Sequence, residues 1–431
     1  MENIFLFGSG NNAYGVIPYL QNKNILAIID NEKKKQGNIF CDIPIISFSD
    51  YLKIQQGERV VITVAICDEI IELLEKNGIY NYTIAPMIVM GMAEPEQMVN
   101  EWGIAEKTDI YFVGFNIIAE KFCEYMKKNY PVIHLNMVVF SEEDEKEAIK
   151  NKINGVCVEQ IDKNTSVLLF KEKLLEKEKQ ILNKFREVLD VFQLMPEKNR
   201  KFLPMIRELK NKYCNEKCFI IGNGPSLQIG DLENIQRFKI PSFGMNLMYG
   251  MYESTTWRPT YYVITECEIY HTYLDDIKHL RHDNLFVKNF YDLSKEDYIK
   301  DVIYYPGYAR RSYYEEQKIS DDISKVVYAG YSVLFDSIQI ALYMGFSEIY
   351  LIGADFSYKG DPRDKGNHIY DKVLTDKRVV ASKARVDITY HALEVAKEYA
   401  DRHGVKIFNA TRGGNLEVFP RIDLDEMIKT M

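Results

Sequence analysis

The chain has little of what marks the specialised classes of protein. Tryptophan occurs twice in 431 residues, and 13 prolines and 24 glycines are scattered rather than clustered. That excludes collagen-like and low-complexity chains. No run of about 18 uninterrupted apolar residues occurs, so no membrane-spanning helix is expected. Basic charge is not in excess: the net charge is −9, which leaves nucleic acid off the expected partners. Cysteine is odd in number, at 41, 67, 123, 157, 214, 218 and 267, with no spacing that suits a zinc cage or a disulfide framework. No metal site is expected. Scattered thiols and a start, Met-Glu-Asn-Ile, without a basic leader point to a cytoplasmic location.

What is present is globular. Hydrophobic residues make up 46% of the chain, with 30 tyrosines and 22 phenylalanines, and the length exceeds what one ordinary core can use. Residues 3–7 form a buried-strand run that breaks into Gly8-Ser9-Gly10, followed by a helical stretch, a second strand from Ile25 to Ile29, and Asp30. Strand, glycine turn, helix, strand and terminal acid make a Rossmann-type opening, with Asp30 where a ribose-binding acid would sit. The fingerprint is loose, because the third glycine arrives only at Gly15. With Ile28-Ile29-Asp30-Asn31 and Cys41-Asp42-Ile43-Pro44, this opening resembles the Rossmann-like N-terminal domains of bacterial sugar-modifying enzymes.

The expected domains are 1–92, Rossmann-like; 93–170, a degenerate α/β unit without a site of its own; 171–213, a helical connector; and 214–431, the catalytic Rossmann-like domain. The connector rests on Leu175, Leu182, Phe185, Leu189 and Phe192 at helical spacing. Its excess of lysine and arginine is a solvated helix face or a peripheral contact with an anionic membrane surface, at its inner face. The fold class is α/β: tandem Rossmann-like parallel-sheet domains joined by a helical connector.

The C-terminal domain carries the chemistry. The apolar run Cys218 to Ile221 ends in Gly222-Asn223-Gly224-Pro225-Ser226, either a cradle that lets a ligand approach the backbone or a plain strand-to-helix turn. Later apolar runs also end in polar groups: Asn246, Glu266 and Asp355. In a parallel sheet such ends gather on one edge, where ligands bind.

Gly-Asn-Gly-Pro-Ser-Leu at 222–227, Gly-Met-Asn at 244–246, Ser332-Val333 and Met344 through Ser357, closed by Asn409-Ala-Thr-Arg-Gly-Gly, resemble one superfamily over about residues 217–420. It contains the sialyltransferases of glycosyltransferase family 42, motility-associated glycosyltransferases, and archaeal 6-hydroxymethylpterin diphosphokinases. The glycosyltransferase branch implies a cytidine nucleotide on Gly222, Asn223, Gly224, Ser226, Asn246, Ser332, Gly353, Asp355 and Phe356. It implies His368 as general base, a suitable role for an imidazole that titrates near neutrality. Tyr358, Tyr370, Arg310, Arg311 and Arg412 are candidates for phosphate or acceptor, although the branch's paired tyrosines after Asp-Phe are not reproduced, since Ser357 precedes Tyr358. His391 and His403 receive no role.

The leading expectation is therefore transfer of a sugar, sialic-acid-like if the first branch's chemistry holds, from a nucleotide-activated donor to a glycan, lipid-linked or protein acceptor, with no required cofactor. The alternatives are pyrophosphoryl transfer from ATP with Mg²⁺ near Asp355 or Glu266, and a non-catalytic nucleotide-sugar-binding protein. A homo-oligomer is compatible with each.

Overall fold

A computed structural model describes residues 1–64, 67–86, 93–172, 174–194, 200–280, 284–288, 299–308, 317–357, 369 and 386–430. The chain divides into two compact units, Met1–Glu197 and Lys198–Tyr308 with Glu316–Met431. No described helix is long and apolar enough to cross a membrane.

The first unit holds two sheets. The six-stranded sheet is built from β1 (Glu2–Phe7), β2 (Lys23–Ile29), β3 (Ile39–Phe40), β4 (Ile43–Ile46), β5 (Arg59–Ile62) and β6 (Tyr82–Ile84), in the order β3-β4-β2-β1-β5-β6. All its pairings are parallel except the β3–β4 hairpin. That hairpin turns on Cys41 and Asp42, both at positive φ (49° and 64°), which matches the right-handed twist of the flanking strands. The five-stranded sheet contains β7 (Asp109–Val113), β8 (His134–Val139), β9 (Asn154–Cys157), β10 (Ser166–Leu169) and β11 (Glu187–Asp190), ordered β11-β10-β7-β8-β9 and wholly parallel. Glu120, on the helix that follows β7, joins the two sheets through Arg59 Nη1 and Lys23 Nζ, both at 3.0 Å. Burial opposes the Glu120 charge, but the two cations outweigh it and hold its pKa below the usual range.

The expected helical connector over 171–213 is corrected at its centre. A helix does cover Glu176–Leu182, yet Glu187–Asp190 is a strand paired in register with Ser166–Leu169. Leu189 and Phe185 are buried by the sheet and not by a helix stripe. A short apolar run fits either period, and here the open edge of β10 decides between them.

The second unit is organised on β12 (Lys217–Ile221), β13 (Ser242–Met245), β14 (Tyr261–Ile264), β15 (Leu285–Lys288), β16 (Ile303–Tyr305), the short pair β17 (Gly307–Tyr308) and β18 (Val327–Tyr328), and β19 (Glu348–Ile352) and β20 (Lys406–Asn409). Seven of these form one parallel sheet ordered β16-β15-β14-β13-β12-β19-β20. Tyr261 to Ile264 are all buried, as expected of a parallel sheet covered on both faces. The Val333–Tyr343 helix is buried nearly all round. Its fully buried Gln339 is satisfied by accepting from the Ser320 and Tyr328 amides and donating to Tyr328 O.

All three sheets repeat one plan. The chain enters at an interior strand (β1, β7, β12), builds outward on one side, then crosses back to that strand's other side (β5, β10, β19). Each sheet therefore has a topological switch point outside the C-terminal ends of two named neighbours.

Candidate functional site

In the seven-stranded sheet the switch point lies between β12 and β19, where open parallel sheets hold ligands. Gly222-Asn223-Gly224 leaves one strand and Gly353-Ala354-Asp355-Phe356 the other. The two turns are interlocked: the Gly222 amide donates to Ile352 O at 2.8 Å, and the Gly224 amide to Gly353 O at 2.9 Å. A Cβ on Gly224 would overlap Asp355 Oδ2 and sit 2.6 Å from Gly353 O, and one on Gly353, at φ +63°, would lie 2.5 Å from Gly222 O. These glycines are thus required by one turn crossing another, before any ligand is considered.

The same device appears at the other two switch points. A Cβ on Gly8 would meet Val64 Cγ2 at 2.5 Å, and one on Gly114 would meet Lys171 Cβ at 2.6 Å. A glycine at the end of the first strand is part of this topology.

Around the crossing sit the polar groups expected from the sequence. The Asn223 side-chain amide points toward Met245 O at 3.4 Å, and its backbone oxygen accepts the Ile369 amide at 2.9 Å. Asn246 is buried at positive φ (46°), its Oδ1 accepting from the Thr265 amide and its Nδ2 facing Glu266 Oε1 at 3.4 Å. The Ser226 hydroxyl donates to Asp355 Oδ2 at 2.8 Å. Burial raises the Asp355 pKa, and the bonds from Ser226 only partly offset this. Phe356 takes φ +52°, a left-handed conformation uncommon for an aromatic residue, of the kind that collects at ligand sites. Gly222, Asn223, Gly224, Ser226, Asn246, Asp355 and Phe356 therefore belong to the C-terminal edge of three adjacent strands, β13, β12 and β19.

Residues 195–361 match the family described as 6-hydroxymethylpterin diphosphokinase MptE-like. That segment contains both walls of the switch point. Among solved structures, the chain is similar to the MAf glycosyltransferase from Magnetospirillum magneticum AMB-1, at 14% identity and a TM-score of 0.35 over 75% of this chain and 60% of that one. The chain thus spans about three fifths of that protein's length. No curated protein matches the chain.

Other expected site residues have structural employment or lie elsewhere. Ser332 caps the Val333–Tyr343 helix, its hydroxyl accepting from the Leu334 amide at 3.2 Å. Arg412, a candidate anion clamp, is committed inside the protein: its Nη1 and Nη2 make a fork on Asp231 at 2.7 and 2.9 Å, and Nη2 also reaches Asp425. The closing motif around it braces the matched segment. Thr411 Oγ1 accepts from the Ala354 amide, and the Asn415 amide donates to Asp355 O at 2.7 Å. His368, Tyr358, Tyr370, Arg310 and Arg311 lie outside the described residues.

Two arrangements escaped the sequence reading. Lys288 and Tyr305, the last residues of β15 and β16, converge on Asp336 at 3.2 and 2.8 Å, all three buried. Burial raises the Asp336 pKa, with the Lys288 charge pulling it back. No spacing joins positions so far apart in sequence; two adjacent strand ends and the Val333–Tyr343 helix do. In the six-stranded sheet, Asp30 Oδ2 accepts from the Ser9 amide (3.0 Å) and hydroxyl (2.5 Å), and Oδ1 from the Glu32 amide. Burial opposes its charge, but these bonds and nearby Lys35 outweigh burial and lower its pKa. The expected ribose acid thus fastens the first glycine turn to β2. Among the described residues no group of three His, Cys, Asp or Glu is placed to hold a metal ion.

Proposed function

We propose that this protein is a glycosyltransferase that binds a nucleotide-activated sugar at the β12–β19 switch point. A cytidine nucleotide on Asn223, Asn246 and the Gly353–Phe356 turn is the favoured donor carrier. The observation that carries the reading is the crossing of the two turns beside Asn246, which fixes polar groups from three strands on one edge. His368 is the proposed base, an imidazole that titrates near neutrality and can take the acceptor proton. In the reaction, the acceptor hydroxyl oxygen forms a bond to the anomeric carbon as the bond to the donor phosphate oxygen breaks. The hydroxyl proton passes to His368, and the nucleotide departs with the electron pair. Single displacement of this kind inverts the anomeric centre. A sialic-acid-like sugar and a surface glycan, lipid-linked or protein acceptor complete the proposal.

The description of the matched family favours a second reading, diphosphoryl transfer from ATP to a pterin alcohol. Mg²⁺ would there bridge the phosphates. Asp355 is a weak ligand for it, since burial disfavours its charge and Ser226 already occupies Oδ2.

Incubation with activated sugars and separately with ATP and 6-hydroxymethylpterin, with and without EDTA, separates the two. EDTA-insensitive glycosyl transfer or donor hydrolysis, abolished in His368→Ala with nucleotide binding retained, is the expected result. Turnover of the pterin alone would overturn the glycosyltransferase reading.

A further inference from the structure

The first unit contains a cleft that no step of the proposed reaction uses. It has a volume of about 900 Å³ and opens at the switch point of the five-stranded sheet, where β7 ends in Gly114-Phe115-Asn116 and β10 in Phe170-Lys171. The volume is that of a small-molecule site, and the location is the one at which parallel sheets hold ligands.

Its lining combines two chemistries. Part is apolar and open to solvent: Tyr80, Ile84 and Leu175 are 69%, 41% and 61% exposed, among the most exposed large hydrophobic residues described. The charged part comes largely from the Glu142–Lys150 helix. Lys171 is already engaged there, bonded to Glu178 at 2.7 Å and within 3.8 Å of Asp144. Asp144 is itself held by the Phe140 amide and the Ser141 hydroxyl. Glu147 is half-buried, and among the described residues its carboxylate has no hydrogen bond or ion pair. Burial, with Asp144 close by, pushes its pKa up. The Lys171 and Lys150 charges offset this only in part, and the carboxylate lines the cleft as an acceptor that no described donor bonds.

We infer that this cleft is a saccharide-binding site that takes a neutral, hydroxyl-rich ring or short oligosaccharide. Tyrosine and aliphatic faces cover the apolar C–H face of a sugar, while a carboxylate accepts from its hydroxyls, a charge-assisted pairing stronger than a neutral one. An anionic ligand is disfavoured, because carboxylates outnumber lysines along the lining and the Lys171 ammonium is taken up by Glu178 and Asp144. The inference concerns the first unit alone and does not depend on glycosyl transfer in the second.

Saturation-transfer NMR and titration calorimetry on the full chain test it, with cellotriose, maltotriose and chitotriose as neutral probes, and N-acetylneuraminic acid and CMP as anionic ones. At least one neutral trisaccharide should bind; Glu147→Ala should weaken it about tenfold, the effect of one lost charge-assisted contact, and Tyr80→Ala by a similar factor through the lost ring face. CMP affinity should stay unchanged in both variants. Both positions are solvent-accessible, and circular dichroism of each variant checks that the fold is kept. No signal from any neutral trisaccharide at about 10 mM, binding of the acidic sugar that is tighter than of all three and is weakened by Glu147→Ala or Tyr80→Ala, or undiminished trisaccharide affinity in either variant would overturn the site.

Discussion

Gly224→Ala probes the crossing of the two turns directly. The new methyl would occupy the position of Asp355 Oδ2 and lie 2.6 Å from Gly353 O. The carboxylate can rotate away only by giving up the Ser226 hydroxyl at 2.8 Å. Gly353 O cannot yield cheaply, since it belongs to the turn that the β12–β19 ladder holds in register. Overpacking of this kind costs about 1–3 kcal/mol, and the lost hydrogen bond about 1 kcal/mol. For a domain of roughly 200 residues each kcal/mol moves Tm by about 2–4 °C, so a drop of about 5–15 °C is expected for the second unit. Nucleotide affinity should fall with it. Gly230→Ala is the internal control, because nothing lies within 4 Å of its Cβ and it sits in the Ile229–Arg237 helix. That variant should be neutral or more stable by up to ~1 kcal/mol. Circular dichroism melts of the full chain read both. A Gly224→Ala melt within about 1 °C of wild type would refute the packing argument.

The remaining predictions concern charge. The Asp355 pKa is raised by burial, so its contribution to stability is present below the unfolded carboxyl pKa and lost as pH rises through the folded value. Asp355→Asn should therefore gain stability over wild type on going from about pH 4 to 7; urea melts showing a constant or reversed difference would contradict this. Arg412→Ala leaves Asp231, which is 3% exposed, without its cation, and breaking such a pair costs about 3–5 kcal/mol. Urea denaturation should show that loss. Arg412→Lys should recover only part of it, because an ammonium cannot reproduce the fork on Asp231.

The alternation of apolar runs with glycine and asparagine turns made the parallel-sheet architecture legible, because buried strands leave few alternatives for such runs. Asn223, Asn246, Asp355 and Phe356 were readable for the same reason: each follows an apolar run, and the sheet aligns such ends. Three things were not readable. Leu189 fits a helix period and a strand equally, and only the open edge of β10 selects the strand. The glycines at 222, 224 and 353 signal a close approach without saying what approaches, and here it is each other. Lys288, Tyr305 and Asp336, like the walls of the 900 Å³ cleft, meet only through strand order, which local pattern does not encode.

The central claim is a nucleotide site at the β12–β19 switch point, and the most direct measurement is nucleotide binding by wild type and Asn223→Ala. Thermal shifts and calorimetry with CMP, CDP, UDP and ATP should show a cytidine nucleotide raising Tm in wild type, by mass action on the folded state. The shift should be lost in Asn223→Ala. A response to ATP alone, or a cytidine response that survives the substitution, would contradict it.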